Sequence, residues 1–431
     1  MKETATDNVM QVIKRDGRKV NFDKNKIENA ILKAFIAEDG DASDYATAIA
    51  VKIASNIERD LDGSTPNIEE IQDMVESYLM ESERKDIARA YIKYRSERDK
   101  IRRKNSALFK EIQEKLSAEN IQNQNANVDE ASFGGRIGEA TDAMMKKIAL
   151  DYCISDMARE NHLNNEIYIH DLNSYAVGNH NCLSIPFDRL LAEGFNTRQT
   201  DVRAAQSVNT AFQLVAVIFQ LQSLQQFGGV AATHIDHTMV PYVRKSFAKH
   251  YIDGLRYIEG TPPDELPSKN ELEDLSIDSA FYQTEPDVYE YAMDMTKKEV
   301  YQAVEGMYHN LNTLQSRSGN QLPFTSVNYG TCTLPEGRMV TKALLDTSIK
   351  GVGKLHKTSI FPCGIFQCMK GINREEGDPN YDLFRLALRS TAQRLYPNYV
   401  NVDWSVNAGY DRDDPATYTS TMGGKLTLLP M

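Results

Sequence analysis

The stretch VMQVIKRDGRKVNFDKNKIENAILKAF, residues 9–35, constrains the fold more than any other part of this chain. It predicts a strand over Val9–Ile13, a tight turn at Asp16-Gly17 and a returning strand in KVNF. Asp23 stands where a helix N-cap is favoured. The apolar residues that follow it keep helical spacing, namely Ile27, Ala30, Ile31 and Ala34. A β-hairpin that leads directly into an amphipathic helix is therefore predicted here.

Three more helices complete a small N-terminal domain. They are predicted over 44–60, after STPN with Ile68, Ile71, Val75 and Leu79 on one face, and from Glu83 past Tyr94. This domain closes near residue 100, and we assign it to residues 1–102. Residues 101–130 include the Asn/Gln-rich run SAENIQNQNANVDEAS and are interpreted as a linker that can also line a site.

The longer part of the chain mixes long helices with short strand-like runs. Helices are predicted over 138–163 and 199–227, and strands over IYIHDL, QLPFTSVNY and TSIFPCGIFQCM. Residues 258–287 contain four prolines and are predicted to form a loop-rich insertion. Strands separated by helices favour an α/β fold, either a barrel or an open sheet.

Charge and cysteine content exclude several classes of protein. Lys+Arg and Asp+Glu are balanced at 21 each over residues 1–110, so the net charge of −12 arises in residues 111–431. An acidic body argues against nucleic-acid binding. None of the five cysteines has C-x-x-C spacing, so no metal site is expected. No signal peptide and no apolar run of about 18 residues is found, so we expect a cytoplasmic protein without a membrane partner.

The hairpin carries a cluster of cations around its turn. Lys14, Arg15, Arg18 and Lys19 flank it, and Lys26 follows in the first helix. Cations beside a helix N-terminus make a phosphate site, because charge and backbone donors attract the same anion. A solvated basic hairpin with acidic partners explains the same residues, and charge alone does not decide between the two.

The order of three segments adds information to the charges. VIKRDGRKVNFDKNKIENAILKAF, IEEIQDMVESYLM and IARAYIKYRSER together resemble the ATP-cone, a regulatory domain found in many ribonucleotide reductases and in a family of transcriptional repressors. The resemblance covers residues 10–100 and implies that ATP and dATP compete for this domain as allosteric effectors. It also implies the contact residues, which are Val12, Lys14, Arg15, Arg18, Lys26 and Ile27.

Cys182 is the cysteine with the most informative surroundings. It lies at the edge of a predicted strand or loop, with His170, Asp171 and His180 nearby in sequence. A buried packing residue, a metal ligand and a nucleophile paired with histidine all remain open. Cys153 and Cys332 are interpreted as structural, and at least one of Cys363 and Cys368 is interpreted as core packing. His234 and His237 lack the carboxylate cluster that a metal site would need.

Motifs from about residue 120 to 423 resemble the anaerobic, glycyl-radical ribonucleoside-triphosphate reductases. They include FGGRIGEATD, IYIHDL, NCLSIPFDRLLAEGF, FGGVA, HNLNTLQSRSGNQLPFTSVNYGT and SIFPCGIFQCMKGIN. The resemblance implies the first part of a ten-stranded α/β barrel of the glycyl-radical enzyme type over residues 103–423. Cys182 matches the cysteine that supplies a hydrogen atom to the substrate radical. Asn125, Asn181 and Asn320 are predicted to line the substrate pocket, although loop capping explains such amides equally well.

The resemblance also implies parts that this chain does not contain. After TSTMG the family continues with its thiyl-radical cysteine, whereas this chain has Gly424 and then KLTLLPM. We therefore interpret 424–431 as a tail that departs from the family. The residues of the family's glycyl radical and four-cysteine zinc module are likewise absent, and we expect the chain alone to be inactive.

Two functional hypotheses follow. In the first, the chain is the upstream part of a reductase of ribonucleoside triphosphates for DNA synthesis, which works with a radical-SAM activase as a homodimer. In the second, it is an ATP/dATP-binding regulatory or assembly fragment that pairs with a separately encoded C-terminal half.

Overall fold

The computed structural model describes residues 10–15, 17–61, 64–104, 107–117, 132–178, 182–226, 228–317, 320–404, 409–422 and 426–428. It divides into two compact units, Met1–Lys110 and Glu111–Met431. Within the described residues, no helix combines the length and the apolar character that crossing a membrane requires.

The first unit is a β-hairpin with four helices. Its elements are β1 (Gln11–Ile13), β2 (Lys19–Asn21), α1 (Lys24–Asp39), α2 (Asp44–Asp60), α3 (Ile68–Glu81) and α4 (Lys85–Lys104). Asp23 caps α1 as predicted, since its side chain accepts a hydrogen bond from the Asn25 amide. Asn67 caps α3 in a reciprocal arrangement with Glu70. These local signals explain why the predicted elements of this unit are confirmed.

The core of the first unit is formed by one face of each helix and by the hairpin. Ile31, Phe35, Ile57 and Leu79 are fully buried in it. Val12 pairs with Val20 across the hairpin and contributes to the same core. The Ile13 amide donates to the Pro66 carbonyl at 3.0 Å, which attaches the hairpin to the start of α3.

The second unit contains a parallel sheet with helices. The helices are α5 (Ala107–Ser117), α6 (Phe133–Ile148), α7 (Asp156–Leu163), α8 (Leu172–Tyr175), α9 (Phe187–Glu193), α10 (Val208–Ser223), α11 (Ile235–Thr238), α12 (Val240–Tyr257), α13 (Lys269–Leu272), α14 (Pro286–Thr313), α15 (Pro335–Lys350) and α16 (Tyr381–Arg394). The strands are β3 (Leu183–Ser184), β4 (Phe195–Asn196), β5 (Asp201–Val202), β6 (Val230–Ala232), β7 (Thr325–Tyr329), β8 (Cys363–Cys368), β9 (Asn398–Asn401), β10 (Ser420–Met422) and β11 (Leu426–Leu428).

Five of these strands form one sheet in the order β3-β6-β7-β8-β9, and every neighbouring pair is parallel. Helices α10, α12, α14 and α15 pack together, and α10, α14, α15 and α16 share a core with one face of the sheet. Val327 and Phe366 belong to this core. The α/β class predicted from the sequence is confirmed at this level.

Several predicted elements of the second unit differ from the structure. IYIHDL was expected to be a strand, but its residues form turns that end in α8. The Ile169 amide donates to the His162 ring, and Asp171 has a φ of 58°, so the backbone bonds locally and turns. The predicted linker 101–130 is partly helical, because α4 extends to Lys104 and α5 follows it.

Two predicted long helices are shorter than expected. The helix expected over 199–227 begins only at Val208, where Ser207 caps it, and residues 201–202 instead form β5 paired with β4. The helix expected over 138–163 is interrupted by a π-helical turn at Ala149–Cys153. The insertion at 258–287 is loop-rich as predicted, with only α13 and a 3₁₀ turn at Tyr282–Thr284 before α14 begins.

Candidate functional site

A cavity of about 180 Å³ lies in the first unit, between the hairpin, α1, α3 and Tyr91 of α4. Four of the six predicted nucleotide contacts line it, namely Val12, Lys14, Lys26 and Ile27. The hairpin reaches this position because its strand residue Val12 is anchored in the core. The structure therefore brings together residues from two predicted elements that are adjacent in sequence.

The cavity combines an apolar wall with cations. Ile27, Ile71 and Val75 contribute apolar side chains, and Lys14 and Lys26 contribute ammonium groups. The Lys26 side chain is 73% exposed and lies 3.4 Å from the Asp23 carboxylate. An apolar pocket with cations suits a ligand that has a flat apolar group and an anionic group.

The other two predicted contacts do not line the cavity. Arg15 instead donates to the Glu69 carboxylate and, at 3.0 Å, to the Gln72 side chain. Glu69 also accepts from Arg95 at 2.7 Å, so it links the hairpin turn to α4. The hydrogen bond from Arg15 is the main reason that the pKa of Glu69 lies below its usual value. The backbone carbonyl of Arg18 accepts from the Lys14 amide at 2.8 Å.

Sequence reasoning missed several polar residues of this cavity, among them Gln72 and Tyr91. Tyr91 has a detectable signal, because Ile87, Ala88 and Tyr91 have the spacing of a buried helix face. Burial raises the pKa of Tyr91 to about 12, and the nearby Arg95 opposes that shift. Gln72 has no such signal, because it lies between the apolar positions of α3.

The second unit has a polar face on its parallel sheet, opposite the face that packs against helices. Ser326 and Asn328 of β7 and Gln367 of β8 are on this polar face, and each is fully buried. Residues on a strand alternate between faces, and Val327 and Phe366 occupy the apolar side. Strands buried on both faces are normally apolar throughout, so this buried polar face marks a candidate site.

Cys182 directly precedes β3 at the edge of this sheet. Ser184 is in register with Ala231 of β6, which in turn is in register with Ser326. Because side chains alternate along a strand, Cys182 and Ser184 belong to the polar face. Cys182 is partly exposed, and it lies at the strand edge as its sequence surroundings predict.

Arg317 brings a positive charge near Cys182. Burial lowers the pKa of Arg317 below its usual value, and the charges of Asp171, Asp142 and Cys182 oppose that shift. The guanidinium also donates to the Gln321 side chain at 2.9 Å. Sequence reasoning missed this residue, although a lone cation in the neutral run LQSRSGNQ is a usable signal.

Asn320 lies on the same loop as Arg317 and contacts the start of α6. Its amide nitrogen donates to Gln315 at 3.2 Å and to the Ser132 hydroxyl at 3.4 Å. A Cβ atom at Gly134 would come within 2.6 Å of the Asn320 side chain, so glycine is required for this contact. The other predicted pocket residues, Asn125 and Asn181, lie outside the described residues, as does His180.

The remaining thiols differ in environment. Cys332 and Cys363 are buried, Cys368 is partly buried, and the last two contact the main core. Burial raises the pKa of Cys332 to about 12 and that of Cys368 to about 11. Cys153 is exposed, because it lies in the last turn before α7. This exposure corrects the structural role that was expected for Cys153.

The histidines singled out in the sequence bind neighbouring side chains. His170 is exposed and pairs with Asp171. His234 contacts Asp188 at 2.5 Å. Within the parts of the chain that the structure describes, no group of three or more His, Cys, Asp or Glu side chains is arranged to hold a metal ion.

Comparison with known families adds to this geometry. Residues 10–100 match the ATP cone domain, and residues 124–429 match the anaerobic ribonucleoside-triphosphate reductase family. The chain belongs to the anaerobic ribonucleoside-triphosphate reductase family. Cys182, Arg317 and the polar sheet face all lie within the segment that this reductase family shares.

Named relatives of this reductase-family chain cover most of its length. It is 32% identical to the anaerobic ribonucleoside-triphosphate reductase of Haemophilus influenzae over 91% of this chain and 52% of that protein. It is 31% identical to the Escherichia coli enzyme of the same name over 96% of this chain and 54% of that protein. The chain therefore spans about half the length of these relatives.

Among solved structures, the anaerobic ribonucleotide reductase from Thermotoga maritima in complex with dATP and CTP is similar at a TM-score of 0.41 and 13% identity. That similarity covers 69% of this chain and 50% of the other chain.

Proposed function

We propose that this chain provides the regulatory domain and the first part of the catalytic domain of an anaerobic ribonucleoside-triphosphate reductase. The reaction converts ribonucleoside triphosphates to deoxyribonucleoside triphosphates. The observation that supports this proposal is that Cys182 directly precedes β3, the edge strand of a parallel sheet whose strands β7 and β8 carry fully buried polar side chains. The five strands form the first part of a ten-stranded barrel in this proposal, over residues 103–423.

Cys182 acts as the hydrogen donor to the substrate. The family's thiyl radical removes the 3′-hydrogen of the ribose. The 2′-hydroxyl then leaves as water with the proton of the 3′-hydroxyl, and the S–H group of Cys182 gives one hydrogen atom to the resulting C2′ radical. Formate or a thiol reductant supplies the two electrons that restore the Cys182 thiol and reduce the 3′-ketone, and the 3′-hydrogen returns to the ribose. A thiol suits this role because its polarisable S–H bond is weak, and a site shielded from water limits side reactions. Arg317, whose charge interacts with that of Cys182, and Asn320 on the same loop are the proposed contacts for hydroxyl and phosphate groups.

The first unit binds ATP and dATP in this proposal, as a regulatory domain over residues 1–102. The cavity beside Val12 and Ile27 takes the adenine, and Lys14 and Lys26 take the phosphates. Arg15 and Arg18 extend the phosphate contacts from the hairpin turn. For Arg15 to do so, it has to leave Glu69.

Anaerobic turnover tests the reductase proposal. The 431-residue chain is combined with a radical-SAM activase, formate or a thiol reductant, and a C-terminal half taken from a relative. We expect deoxynucleotide formation only when both halves are present, and none after Cys182→Ser. Turnover that survives Cys182→Ser contradicts the assigned role. Sedimentation of the mixture tests the expected homodimer.

A second candidate function is supported by the first unit alone, since its cavity and core are complete without the second unit. In that case the chain is a nucleotide-binding regulatory or assembly fragment that pairs with a separate C-terminal half. Turnover in the reconstituted mixture distinguishes the two candidates, because both predict that calorimetry detects binding of ATP and dATP. Nucleotide binding without turnover in the reconstituted mixture favours the second candidate.

A further inference from the structure

The segment that ends the well-packed part of the second unit lies against the sheet rather than at its edge. Strand β10 contacts β6, β7 and β8, the three central strands. Ser420 is fully buried, and Tyr418, Thr419 and Met422 are at most 8% exposed. Strand β10 pairs with β11 in an antiparallel ladder along one backbone edge, so the polar groups of its other edge, which faces the sheet, need side-chain partners.

Asn328 of β7 supplies one set of partners. Its carboxamide nitrogen donates to the Ala232 carbonyl at 2.9 Å and to the Thr421 carbonyl at 3.2 Å. Its carboxamide oxygen accepts from the Thr421 amide at 3.2 Å. Asn328 thus bonds both backbone groups of Thr421, as a residue on a neighbouring strand would, and also bonds β6.

Gln367 of β8 supplies the second set. Its carboxamide nitrogen donates to the Thr233 carbonyl at 3.2 Å and to the Thr419 carbonyl at 3.4 Å. The two amides therefore hold Thr419 and Thr421, which are two residues apart on one side of the segment. Both amide side chains are fully buried.

The backbone next to β6 is shaped to accept the same segment. A Cβ atom at Gly229 would come within 2.2 Å of the Met422 sulfur and 2.6 Å of the Phe324 ring. Glycine therefore leaves the space that Met422 occupies. An apolar residue would fill the positions of Asn328 and Gln367 at a lower desolvation cost, so the amides are explained by the bonds that they make.

We infer that Asn328 and Gln367 are positioning residues, which hold residues 419–422 against the polar face of the sheet and thereby fix the point from which the chain continues. The holding contacts rest on the structure alone. Their catalytic meaning rests on the proposed function, because that function places the radical cysteine of the family at the position of Gly424. Neither residue touches the reacting atoms in this role.

Hydrogen exchange of the full 431-residue chain tests the holding contacts. Asn328→Leu and Gln367→Met keep the approximate size of each side chain and remove its hydrogen bonds. We expect amide exchange in a peptide covering 418–422 to rise by at least about tenfold in each variant, with unchanged exchange in β7 and β8.

Thr325→Val is the matched control, because it removes a buried hydroxyl on β7 that has no hydrogen-bond partner among the described residues. It should leave the 418–422 peptide unchanged. Unchanged exchange in both amide variants, or an equal rise across β7, β8 and the segment, overturns the inference. The second outcome shows that the amides support the whole sheet rather than the segment.

Disulfide formation between Cys182 and a Gly424→Cys variant separates the inference from the proposed function. Under mild oxidation we expect this crosslink, identified by peptide mass, and its rate should fall at least about fivefold with Asn328→Leu but not with Thr325→Val. If the exchange result holds and no crosslink forms, the amides still position the segment but the proposed function fails. A crosslinking rate that is unchanged by both Asn328→Leu and Gln367→Met contradicts the positioning role.

Discussion

The two units of this chain use polar side chains in opposite ways. In the first unit, the charged groups lie on the surface, and Arg95 joins Glu69, Asp73 and Glu76 at 2.7–2.8 Å around a core that is almost entirely apolar. In the second unit, the polar groups that organise the sheet are fully buried, as Asn328, Gln367 and Asp236 are.

This difference has an energetic consequence. Surface ion pairs contribute little individually, because water competes with them and salt screens them. A buried polar group that loses its partner has no water to replace it. Substitutions of polar residues should therefore be mild in the first unit and severe in the second, whereas ligand binding in the first unit should respond strongly to single charges.

The largest effect is expected in thiol chemistry, and all five cysteines lie in the second unit. Burial and the nearby Asp236 raise the pKa of Cys332 to about 12. At pH 8 the thiolate fraction is then about 10⁻⁴, so alkylation by iodoacetamide should be at least about a hundredfold slower than for free N-acetylcysteine. Mass spectrometry of a timed digest measures this, with exposed Cys153 as the accessibility reference. Alkylation of Cys332 at the rate of free thiol contradicts the buried environment.

Asp236→Ala should be the most destabilising single substitution among these tests. The buried carboxylate accepts from the amides of Gly330 at 2.9 Å, Cys332 at 3.0 Å and His237 at 3.1 Å. Its removal takes this acceptor from the buried amides of Gly330 and Cys332, whereas the His237 amide keeps the His234 carbonyl at 3.1 Å. We expect a loss of about 3–5 kcal/mol in the unfolding free energy of the second unit.

Urea titration with peptide-level hydrogen exchange measures this loss separately for each unit. Asp382→Ala is the control, because this exposed carboxylate pairs with Arg338 at 2.8 Å on the surface and should cost less than about 1 kcal/mol. Equal losses of unfolding free energy for Asp236→Ala and Asp382→Ala contradict the expected difference between buried and surface polar groups.

Nucleotide binding tests the role of charge in the first unit. Lys14→Ala removes an ammonium group from the cavity and should weaken ATP binding about tenfold or more, since a charge-assisted hydrogen bond is lost. Calorimetry measures the change in Kd. Lys33→Ala removes an exposed lysine of α1 that does not line the cavity, and its Kd should stay within about twofold. If Lys14→Ala and Lys33→Ala raise the Kd for ATP equally, the net charge of the unit, rather than a contact in the cavity, explains the weaker binding.

The smallest effect concerns the pH dependence of stability. Arg15 holds the pKa of Glu69 below its usual value, so Glu69 stabilises the folded unit above about pH 4.5 and loses that contribution as the pH falls through the depressed pKa. Glu69 is 45% exposed, and the contribution should be less than about 1 kcal/mol.

Glu69→Gln should therefore lower the stability of the first unit slightly at pH 7 and not at pH 3. Thermal unfolding at several pH values measures this. A Glu69→Gln penalty that persists at pH 3 shows that packing, not charge, is responsible.

The sequence by itself determined most of the first unit. The hairpin turn, the Asp23 cap and the periodic apolar faces of α1 to α4 depend on residues a few positions apart, so local patterns suffice to predict them. The same reasoning located Cys182 at a strand edge. The resemblance to the ATP-cone predicted six nucleotide contacts, and four of them line the cavity.

The tertiary structure alone decided which distant residues meet. Arg15 pairs with Glu69 across 54 positions, and Asp236 accepts from the Gly330 amide across 94 positions. No periodic pattern contains such pairs, because they depend on how strands order in the sheet. IYIHDL failed as a strand for the same reason, since alternation predicts a strand only where a neighbour exists to bond with it. The placement of residues 419–422 against Asn328 and Gln367 is likewise tertiary, because strands that are distant in sequence create the polar face that holds them.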